Sequence, residues 1–193
     1  MIRLFDIIFS LLGLVILSPL LIIIAIWIKI DSRGPVLYRQ TRVGMNGIDF
    51  GLLKFRSMRV NADKAGLLTV GGRDSRITNA GYYLRKYKID ELPQLFNVLV
   101  GDMSLVGPRP EVRKYVDLYT ESQKKILLVK PGITDMASIA YKKENELLAR
   151  SPDPEKTYIT EIMPEKIKLN MIYIEDPGII HYFKIIFQTI ISI

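Results

Sequence analysis

The sequence from residue 88 to residue 99 reads Lys88-Ile89-Asp90-Glu91-Leu92-Pro93-Gln94-Leu95-Phe96-Asn97-Val98-Leu99. Its apolar residues recur at the spacing of one helical face, namely Leu92, Leu95, Phe96 and Leu99. Pro93 is tolerated only in the first turn of a helix, where its missing N–H costs nothing. The stretch therefore predicts a helix with Asp90 as its N-cap and Glu91 just inside the first turn.

Two adjacent carboxylates at a helix start can have either of two roles. The free N–H groups and the partial positive charge of a helix N-terminus keep carboxylates ionised and attract phosphate. An ionised carboxylate can act as a nucleophile or as a magnesium ligand. The ordinary alternative is that Asp90 only caps the helix and Glu91 only decorates its first turn. The pair alone leaves both roles open, so the rest of the chain has to distinguish them.

Length, composition and charge narrow the possible functions. A chain of 193 residues predicts one domain and at most one appended element. With no Cys and a single His, His181, the chain has no disulfide and a poor ligand set for zinc, so a catalytic metal would be bound by oxygen. The net charge of +7 suits nucleic acid or an anionic membrane. No basic run is interleaved with aromatic residues, which favours the membrane over nucleic acid.

An uncharged apolar run near the amino terminus supports the membrane interpretation. Residues 7–28 carry no charge, which is long enough to cross a bilayer. Ser18-Pro19 lies near the middle, where the proline removes a backbone hydrogen bond and the serine hydroxyl can satisfy the freed carbonyl. The run is either a kinked spanning helix or a re-entrant helix-break-helix. Physical chemistry alone favours the spanning form, because proline kinks are ordinary in spanning helices.

The distribution of cations predicts the side of the membrane on which the body lies. Four cations follow the apolar run closely, namely Lys29, Arg33, Arg39 and Arg42, whereas only Arg3 and the amino terminus precede it. This bias places the body in the cytoplasm, on the inner face of the membrane. We expect a membrane segment at residues 1–33 and a catalytic domain at residues 34–193.

A short β-hairpin is predicted just after the membrane segment. Strand-like segments at residues 36–40 and 48–55 flank Asn46-Gly47, a dipeptide suited to positive φ. At the end of the second segment, Lys54 and Arg56 alternate and could lie on one face of a strand. Residues 61–75 are typical of a loop and are a candidate lid.

Two further arginines are candidates for binding phosphate. Arg85 ends a helix predicted to begin near Thr78, where a cation is favoured in any case. Arg109 lies between Pro108 and Pro110, whose fixed φ angles make its backbone rigid. A rigidly placed guanidinium suits phosphate binding.

The rest of the chain is predicted to be mainly helical, with a capping box at residues 120–123 and a break or new start at Pro164. The predicted fold class is therefore α+β and mostly helical. Residues 179–193 are predicted either to lie in the membrane interface or to pack on the core.

The motifs, in this order, resemble the bacterial sugar transferase family, in particular its small monotopic phosphoglycosyl transferases. They are the apolar segment with Ser18-Pro19, Lys54-Phe55-Arg56-Ser57-Met58, Arg85, the block from Asp90 to Leu99, Gly101-Asp102-Met103-Ser104-Leu105-Val106-Gly107-Pro108-Arg109-Pro110, and Lys130-Pro131-Gly132-Ile133-Thr134. The resemblance covers nearly the whole chain. It implies a re-entrant membrane helix broken at Ser18-Pro19 and a compact cytoplasmic domain on the membrane surface.

The resemblance also implies a reaction. The family transfers a sugar-1-phosphate from a UDP-sugar to a polyprenol (undecaprenyl) phosphate, with Mg²⁺, as the first membrane step of glycan assembly. By analogy, Asp90 attacks the phosphorus that bears the sugar, UMP leaves, and the lipid phosphate attacks the aspartyl phosphosugar. Glu91 would hold the metal together with Asp90 or deprotonate the acceptor. The matching cations Arg56, Arg85 and Arg109 would bind the phosphates, beside Lys54 of the same motif.

One departure from the family concerns the sugar. Many members follow Pro-Gly-Ile-Thr with Gly-Trp-Ala-Gln-Val-Asn-Gly-Arg, whereas this chain has Asp135-Met136-Ala137-Ser138-Ile139-Ala140-Tyr141. The segment lies downstream of the catalytic block, so it bears on the identity of the sugar and leaves the reaction class unchanged.

Two other functions are compatible with the residues. One is a membrane-tethered basic binding or scaffold protein, and the other is a nucleotide-sugar hydrolase or retaining glycosyl transferase that uses the same carboxylates.

Overall fold

The structure is a computed structural model that describes residues 1–62 and 74–192. Most of the predicted lid, residues 63–73, lies outside the described residues. The α-helices of the described part are α1 (Ile2–Asp31), α2 (Asn79–Lys86), α3 (Gln94–Val100), α4 (Arg113–Val116), α5 (Met136–Ala140), α6 (Glu144–Ala149), α7 (Pro154–Thr157), α8 (Met163–Glu175) and α9 (Ile179–Ser192). The strands of that part are β1 (Leu37–Val43), β2 (Asp49–Phe55), β3 (Ser104–Val106) and β4 (Gly132–Thr134). The chain is mostly helical with little sheet, which confirms the predicted balance of elements.

The predicted hairpin is confirmed. β1 and β2 pair antiparallel, with Leu37 opposite Phe55 and Val43 opposite Asp49. In the connecting turn, Asn46 has a φ of 58° and Gly47 a φ of 74°, the left-handed conformations that this dipeptide favours. The first strand extends three residues beyond the predicted residue 40.

A second, parallel pair of strands was not predicted. Ser104 of β3 lies opposite Gly132 of β4, and both strands have only three residues. The two backbones approach closely beyond this point, because a Cβ on Gly132 would lie 2.1 Å from the nitrogen of Gly107. The N–H of Gly132 also donates to the carbonyl of Pro108 at 3.0 Å. The glycines therefore let β4 support the loop that carries Arg109.

The apolar run forms one continuous helix, α1, with Pro19 inside it. The Ser18 hydroxyl donates to the Val15 carbonyl at 2.8 Å, and this is the carbonyl that Pro19 cannot satisfy. The predicted gap between two helices is therefore absent, while the predicted role of the serine is confirmed. Among the described residues, α1 is the one helix that is long and apolar enough to cross a membrane.

Both ends of α1 contact the same body. Near its start, Arg3 donates to the carbonyls of the last residues of α3, and the buried Asp6 accepts hydrogen bonds from the hydroxyls of Ser104 and Tyr182. Near its end, Ile28 is buried against residues of α2 and β2. α1 and the rest of the described chain thus share buried polar and apolar contacts.

The largest cluster of buried residues joins β1, α4, α6 and the helices from α7 to α8. It contains Val43, Val112, Tyr115, Val116, Tyr119, Ile126, Leu148, Tyr158, Ile162, Met163 and Ile167. Each such side chain contributes about 1.5–3 kcal/mol of burial free energy. α8 begins with Pro164 in its first turn, as predicted, and follows one turn of π-helix at Tyr158–Ile162. This core fixes α8 along one side of the cavity described below.

Candidate active site

The carboxylate pair lies in a turn that precedes α3. Residues Ile89–Glu91 form one turn of 3-10 helix after Lys88, whose φ of 56° reverses the chain. α3 itself begins at Gln94, so the prediction that Asp90 caps the helix was wrong. Pro93 supplies the N-cap position without a side-chain hydrogen bond, which leaves the Asp90 carboxylate free of a capping role.

α3 is held against β2 by Asn97. Its side-chain oxygen accepts from the Leu53 N–H at 2.9 Å, and its amide nitrogen donates to the Gly51 carbonyl at 2.9 Å. The buried side of α3 therefore contains Gln94, Asn97 and Val98, whereas Phe96 of the predicted apolar face is half exposed. These bonds fix the carboxylate pair beside Lys54, the residue that follows Leu53.

The Asp90 carboxylate is buried and accepts no hydrogen bond from the described residues. Its exposed fraction is 4%, and no side chain or backbone N–H within residues 1–62 and 74–192 donates to it. Burial, together with the neighbouring Glu91 charge, raises the pKa of Asp90 above its usual range, although Lys54, Arg85 and Arg109 act in the opposite direction. The surroundings of Asp90 in the protein without ligands therefore act against its ionised form, in contrast to the expectation that a helix start favours it.

Glu91 has the opposite environment. Arg109 binds both of its oxygens, with Nη1 3.0 Å from Oε2 and Nη2 on Oε1, and Lys54 Nζ lies 3.4 Å from Oε1. Burial acts to raise the pKa of Glu91, but the charges of Arg109 and Lys54 outweigh it and hold that pKa well below its usual range. Burial also lowers the pKa of Lys54 to about 8, with partial compensation from Glu91. Two neighbouring carboxylates thus have pKa values shifted in opposite directions, a pattern typical of reacting groups.

The position of Arg109 is fixed through its backbone. Its N–H donates to Asp135 Oδ2 at 2.9 Å, and Asp135 is itself 2% exposed. The other Asp135 oxygen caps α5 by accepting from the Ser138 N–H. Asp135 lies in the segment that departs from the usual family pattern, and no sequence pattern predicted its contact with the loop that carries Arg109. Burial raises the pKa of Asp135.

A cavity of about 660 Å³ opens beside the carboxylate pair. Its volume lies within the range of small-molecule sites in proteins. Asp90, Glu91, Lys54, Arg85 and Arg109 all line it, so the structure brings together five of the six predicted catalytic and phosphate-binding residues. Sequence reasoning missed further polar lining residues, among them Arg42, Glu111, Glu144, Tyr158 and Lys166. They come from several separate regions of the chain, and of these five Glu111 alone has a sequence signal, its place in the arginine block.

Arg56 is the predicted phosphate-binding residue that does not line this cavity. Its guanidinium is buried and donates to backbone carbonyls around the end of α1, namely those of Ile28, Ser32, Arg33 and Pro35. β2 ends at Phe55, so the alternation that would place Arg56 beside Lys54 stops one residue too early. Arg56 is therefore bound to the end of α1, and Lys54 is bound to Glu91.

The carboxylate pair fits a magnesium ion. Among the described residues, no group of three or more His, Cys, Asp or Glu side chains could hold a metal ion, so in that part of the chain a metal would depend on this pair and on ligands from the substrate. Mg²⁺ is commonly bound by one or two carboxylates together with substrate phosphates. A carboxylate has about four acceptor positions, and Arg109 and Lys54 use three on Glu91. One acceptor position of Glu91 and all acceptor positions of Asp90 are thus available to a metal ion.

Comparison with known proteins places this site in a family context. The chain is 40% identical over 192 residues to a UDP-glucose:undecaprenyl-phosphate glucose-1-phosphate transferase of Klebsiella pneumoniae, covering 97% of this chain and 39% of that protein. It is 34% identical to a protein of the same description from Caulobacter vibrioides, covering 99% of this chain and 68% of the relative. It is 37% identical to the exopolysaccharide production protein PSS of Rhizobium leguminosarum, covering 98% of this chain and 93% of the relative.

The chain spans less than two thirds of the length of the Klebsiella relative and of its Escherichia coli counterpart, which is 36% identical. The similarity therefore concerns the part of those proteins that this chain matches. A family model described as bacterial sugar transferase matches residues 1–193. On this match and on the relatives above, the chain belongs to the bacterial sugar transferase family.

Proposed function

We propose that this protein transfers a sugar-1-phosphate from a UDP-sugar to a polyprenol phosphate, with release of UMP, through a covalent intermediate on Asp90. The observation that carries the proposal is the Asp90 carboxylate, which is buried, has no donor among the described residues, and lines a cavity that also contains Lys54, Arg85 and Arg109. The names of the relatives from Klebsiella and Caulobacter, which include UDP-glucose and undecaprenyl phosphate, support this chemistry.

The reaction has two displacements at one phosphorus. In the first, an Asp90 oxygen bonds to the phosphorus that bears the sugar, and the bond from that phosphorus to the bridging oxygen of the diphosphate breaks, so UMP leaves with the electron pair. In the second, an oxygen of the polyprenol phosphate bonds to the same phosphorus and the Asp90 carboxylate is released. The product is a polyprenol diphosphate sugar, and no oxidation or reduction occurs.

The surrounding charges account for how such a reaction proceeds. Phosphoryl transfer depends on positioning and on compensation of negative charge. Arg109 and Lys54 supply that compensation next to Glu91, and Arg85 adds a third cation near Asp90. Mg²⁺, held by Glu91 with Asp90, would neutralise further phosphate charge. A bound Mg²⁺ would lower the pKa of Asp90 and so favour the ionised form that the attack requires.

We propose in addition that α1 is re-entrant, so that the protein lies on the cytoplasmic face of the inner membrane without crossing it. Arg3 and Asp6 bind the body at one end of α1, and Arg56 binds the carbonyls at the other end. Large apolar side chains between these ends are exposed, among them Val15 and Ile23 at 63% each. A spanning helix would have to leave one of its ends on the far side of the bilayer, away from the body.

The intermediate can be tested by mass spectrometry. Purified protein is incubated with Mg²⁺ and a panel of UDP-sugars in the absence of lipid acceptor. We expect the peptide that contains Asp90 to gain the mass of one phosphosugar, with stoichiometric UMP. The Asp90→Asn variant and EDTA-treated protein should gain none, while the exposed-site control Asp117→Asn should gain it normally.

Other results would favour other functions. An adduct that persists in Asp90→Asn refutes the assigned nucleophile. Release of UDP or of free sugar phosphate would indicate the hydrolase or glycosyl transferase. A protein that forms no adduct, and whose membrane or polyanion binding falls gradually with salt as Lys and Arg residues are neutralised, would be the binding or scaffold protein.

A further inference from the structure

The cavity beside Asp90 extends to a row of side chains that the proposed reaction does not use. These are Glu111, Tyr158, Lys166 and Glu144, called here the Glu111–Glu144 row, and all four line the cavity. The Tyr158 hydroxyl donates to Glu111 Oε1. Lys166 Nζ lies 5.5 Å from the centre of the Tyr158 ring and 2.7 Å from Glu144 Oε2. The row is therefore continuous, although its members come from four different parts of the chain.

A contribution to stability does not explain the ion pair between Lys166 and Glu144 in this row. The side chains of Lys166 and Glu144 are only 13% and 23% exposed. Replacing such a partly buried pair by apolar residues is often neutral or stabilising, because desolvation of the two charges offsets their attraction. A cavity wall that needed only stability could be apolar. The polar atoms of this pair are instead available to a ligand in the cavity.

The charges of the row indicate what kind of group it binds. Each carboxylate of the row is paired with a cation, Glu144 with Lys166 and Glu111 with Arg42 at 3.5 Å, so this side of the cavity is close to neutral, whereas Lys54, Arg85 and Arg109 near Asp90 would attract phosphate. Carboxylates accept hydrogen bonds from hydroxyl groups, and the lysine ammonium donates to oxygen atoms. The row thus suits a neutral ring that bears several hydroxyl groups, next to a site that suits a diphosphate.

We propose that the Glu111–Glu144 row binds the sugar ring of the donor and determines which sugar is accepted. This inference rests on the proposed function, in which Asp90 attacks the phosphorus bonded directly to the sugar. The sugar is then the neutral group nearest to the phosphorus under attack, while the ribose lies one phosphate further away. Glu111 follows Arg109 by only two residues, so the row begins beside the residues that would hold that phosphate.

The test compares two variants in the row, at Glu144 of α6 and Lys166 of α8, with two control variants on α8. Glu144→Gln and Lys166→Met each break the pair in the row. Glu165→Gln and Lys168→Met are matched controls, because they break an exposed Lys–Glu pair that lies on the same helix. For each variant, kcat/KM is measured by UMP release with UDP-glucose, UDP-galactose and their N-acetylhexosamine counterparts, and UMP is measured as an inhibitor.

We expect both row variants to change the ratio of kcat/KM between the best and the next sugar by about 10–100-fold, as loss of a hydrogen bond to a charged group would do. The controls should keep this ratio and the UMP inhibition constant within about twofold of wild type, since surface contacts contribute little. The row variants should also keep the UMP inhibition constant, because UMP lacks the sugar that the row is proposed to bind. The ratio between sugars does not depend on the folded fraction, so a merely structural role would leave it unchanged.

Three results would overturn the inference. An equal loss for every sugar would assign the row a structural role. A weakened UMP inhibition constant would assign it to the nucleotide. Values of kcat/KM that stay at the wild-type level for every sugar would remove it from donor recognition. If the wild-type protein released UMP from no UDP-sugar in the panel, the proposed function itself would fail, which is a different outcome from turnover with unaltered preference.

Discussion

Arg109 binds both carboxylate oxygens of Glu91, and the backbone N–H of the same arginine is bound by Asp135. The guanidinium is therefore oriented before any substrate is present. Its attraction to Glu91 raises the pKa of Arg109, so the arginine stays charged. A phosphate that enters the cavity meets a cation whose direction is already set, and this pre-organisation is what electrostatic stabilisation of a transition state requires.

Replacement of this arginine by lysine should reduce catalysis strongly. Arg109→Lys keeps the charge but loses the two-point contact with Glu91. We expect kcat/KM to fall by about 10²–10³-fold, measured by UMP release. The control is Arg113→Lys, which alters an exposed pair with Asp49 and should leave the rate within about twofold. A normal rate in Arg109→Lys would show that the two-point contact has no part in the reaction.

The Asp90→Asn variant should be inactive but more stable than wild type at neutral pH without metal. Burial on folding raises the pKa of Asp90, so the folded state binds the carboxyl proton more tightly than the unfolded chain does. Its contribution to stability is present below the pKa of the unfolded chain and is lost as the pH rises through the higher folded pKa. Asparagine is neutral throughout, so we expect a gain of about 1–3 kcal/mol at pH 7.

The measurement is thermal unfolding in detergent with EDTA, at pH 7 and near pH 4. The gain should shrink toward pH 4, because the pH then approaches the pKa of Asp in the unfolded chain and the ionised form of Asp90 becomes less populated. A lower melting temperature for Asp90→Asn at pH 7 would show that the ionised carboxylate stabilises the fold, contrary to its lack of donors.

Arg56 should matter for stability and leave the chemistry of the folded enzyme unchanged. Arg56→Met would remove the side-chain donor from four backbone carbonyls near the end of α1, of which that of Ile28 keeps the Ser32 N–H, so we expect a loss of about 2–5 kcal/mol in unfolding free energy. The exposed Arg59 offers the control, because Arg59→Met should be neutral. The rate per folded molecule should stay near wild type. A large fall in kcat with an unchanged melting temperature would return Arg56 to phosphate binding.

The membrane topology can be read by cysteine labelling, because the chain has no native Cys. Leu4 is exposed near the start of α1, and Arg33 follows its end. If α1 is re-entrant, Leu4→Cys and Arg33→Cys should both react only with a reagent admitted to the cytoplasmic side. A residue in the intervening apolar part, such as Val15→Cys, should be protected from both sides. Labelling of position 4 from the outside would establish a spanning helix.

The parts of the fold that follow from local chemistry could be predicted from the sequence. Asn46-Gly47 allows the positive φ angles of a tight turn, so the hairpin was predictable. Thr78 caps α2 by accepting from the Gly81 N–H, as the residue type indicates. The reciprocal bonds between Thr120 and Gln123 form the predicted capping box, although the helix that follows is a 3-10 helix.

Features that depend on distant contacts could not be predicted in this way. The pairing of β3 with β4 joins three-residue strands from distant parts of the chain, too short for a periodic signal. The buried side of α3 was misassigned because the helix packs on the apolar α1, where Leu95 lies against Gly13, as well as on β2. Periodicity shows which side is apolar and cannot show which of two neighbours covers it. The gathering of Asp90, Glu91 and Arg109 was expected from family resemblance, whereas Asp135 entered only through tertiary structure.

The contacts at the two ends of α1 bear on how the protein can be produced. A shortened version that began after residue 33 would remove Asp6 and leave the buried hydroxyls of Ser104 and Tyr182 without their acceptor. The same cut would take away three of the four carbonyls that Arg56 binds, including that of Ser32. Solubilising the enzyme by trimming its anchor would thus damage the interior, and detergent or nanodisc preparations of the intact chain are the appropriate material.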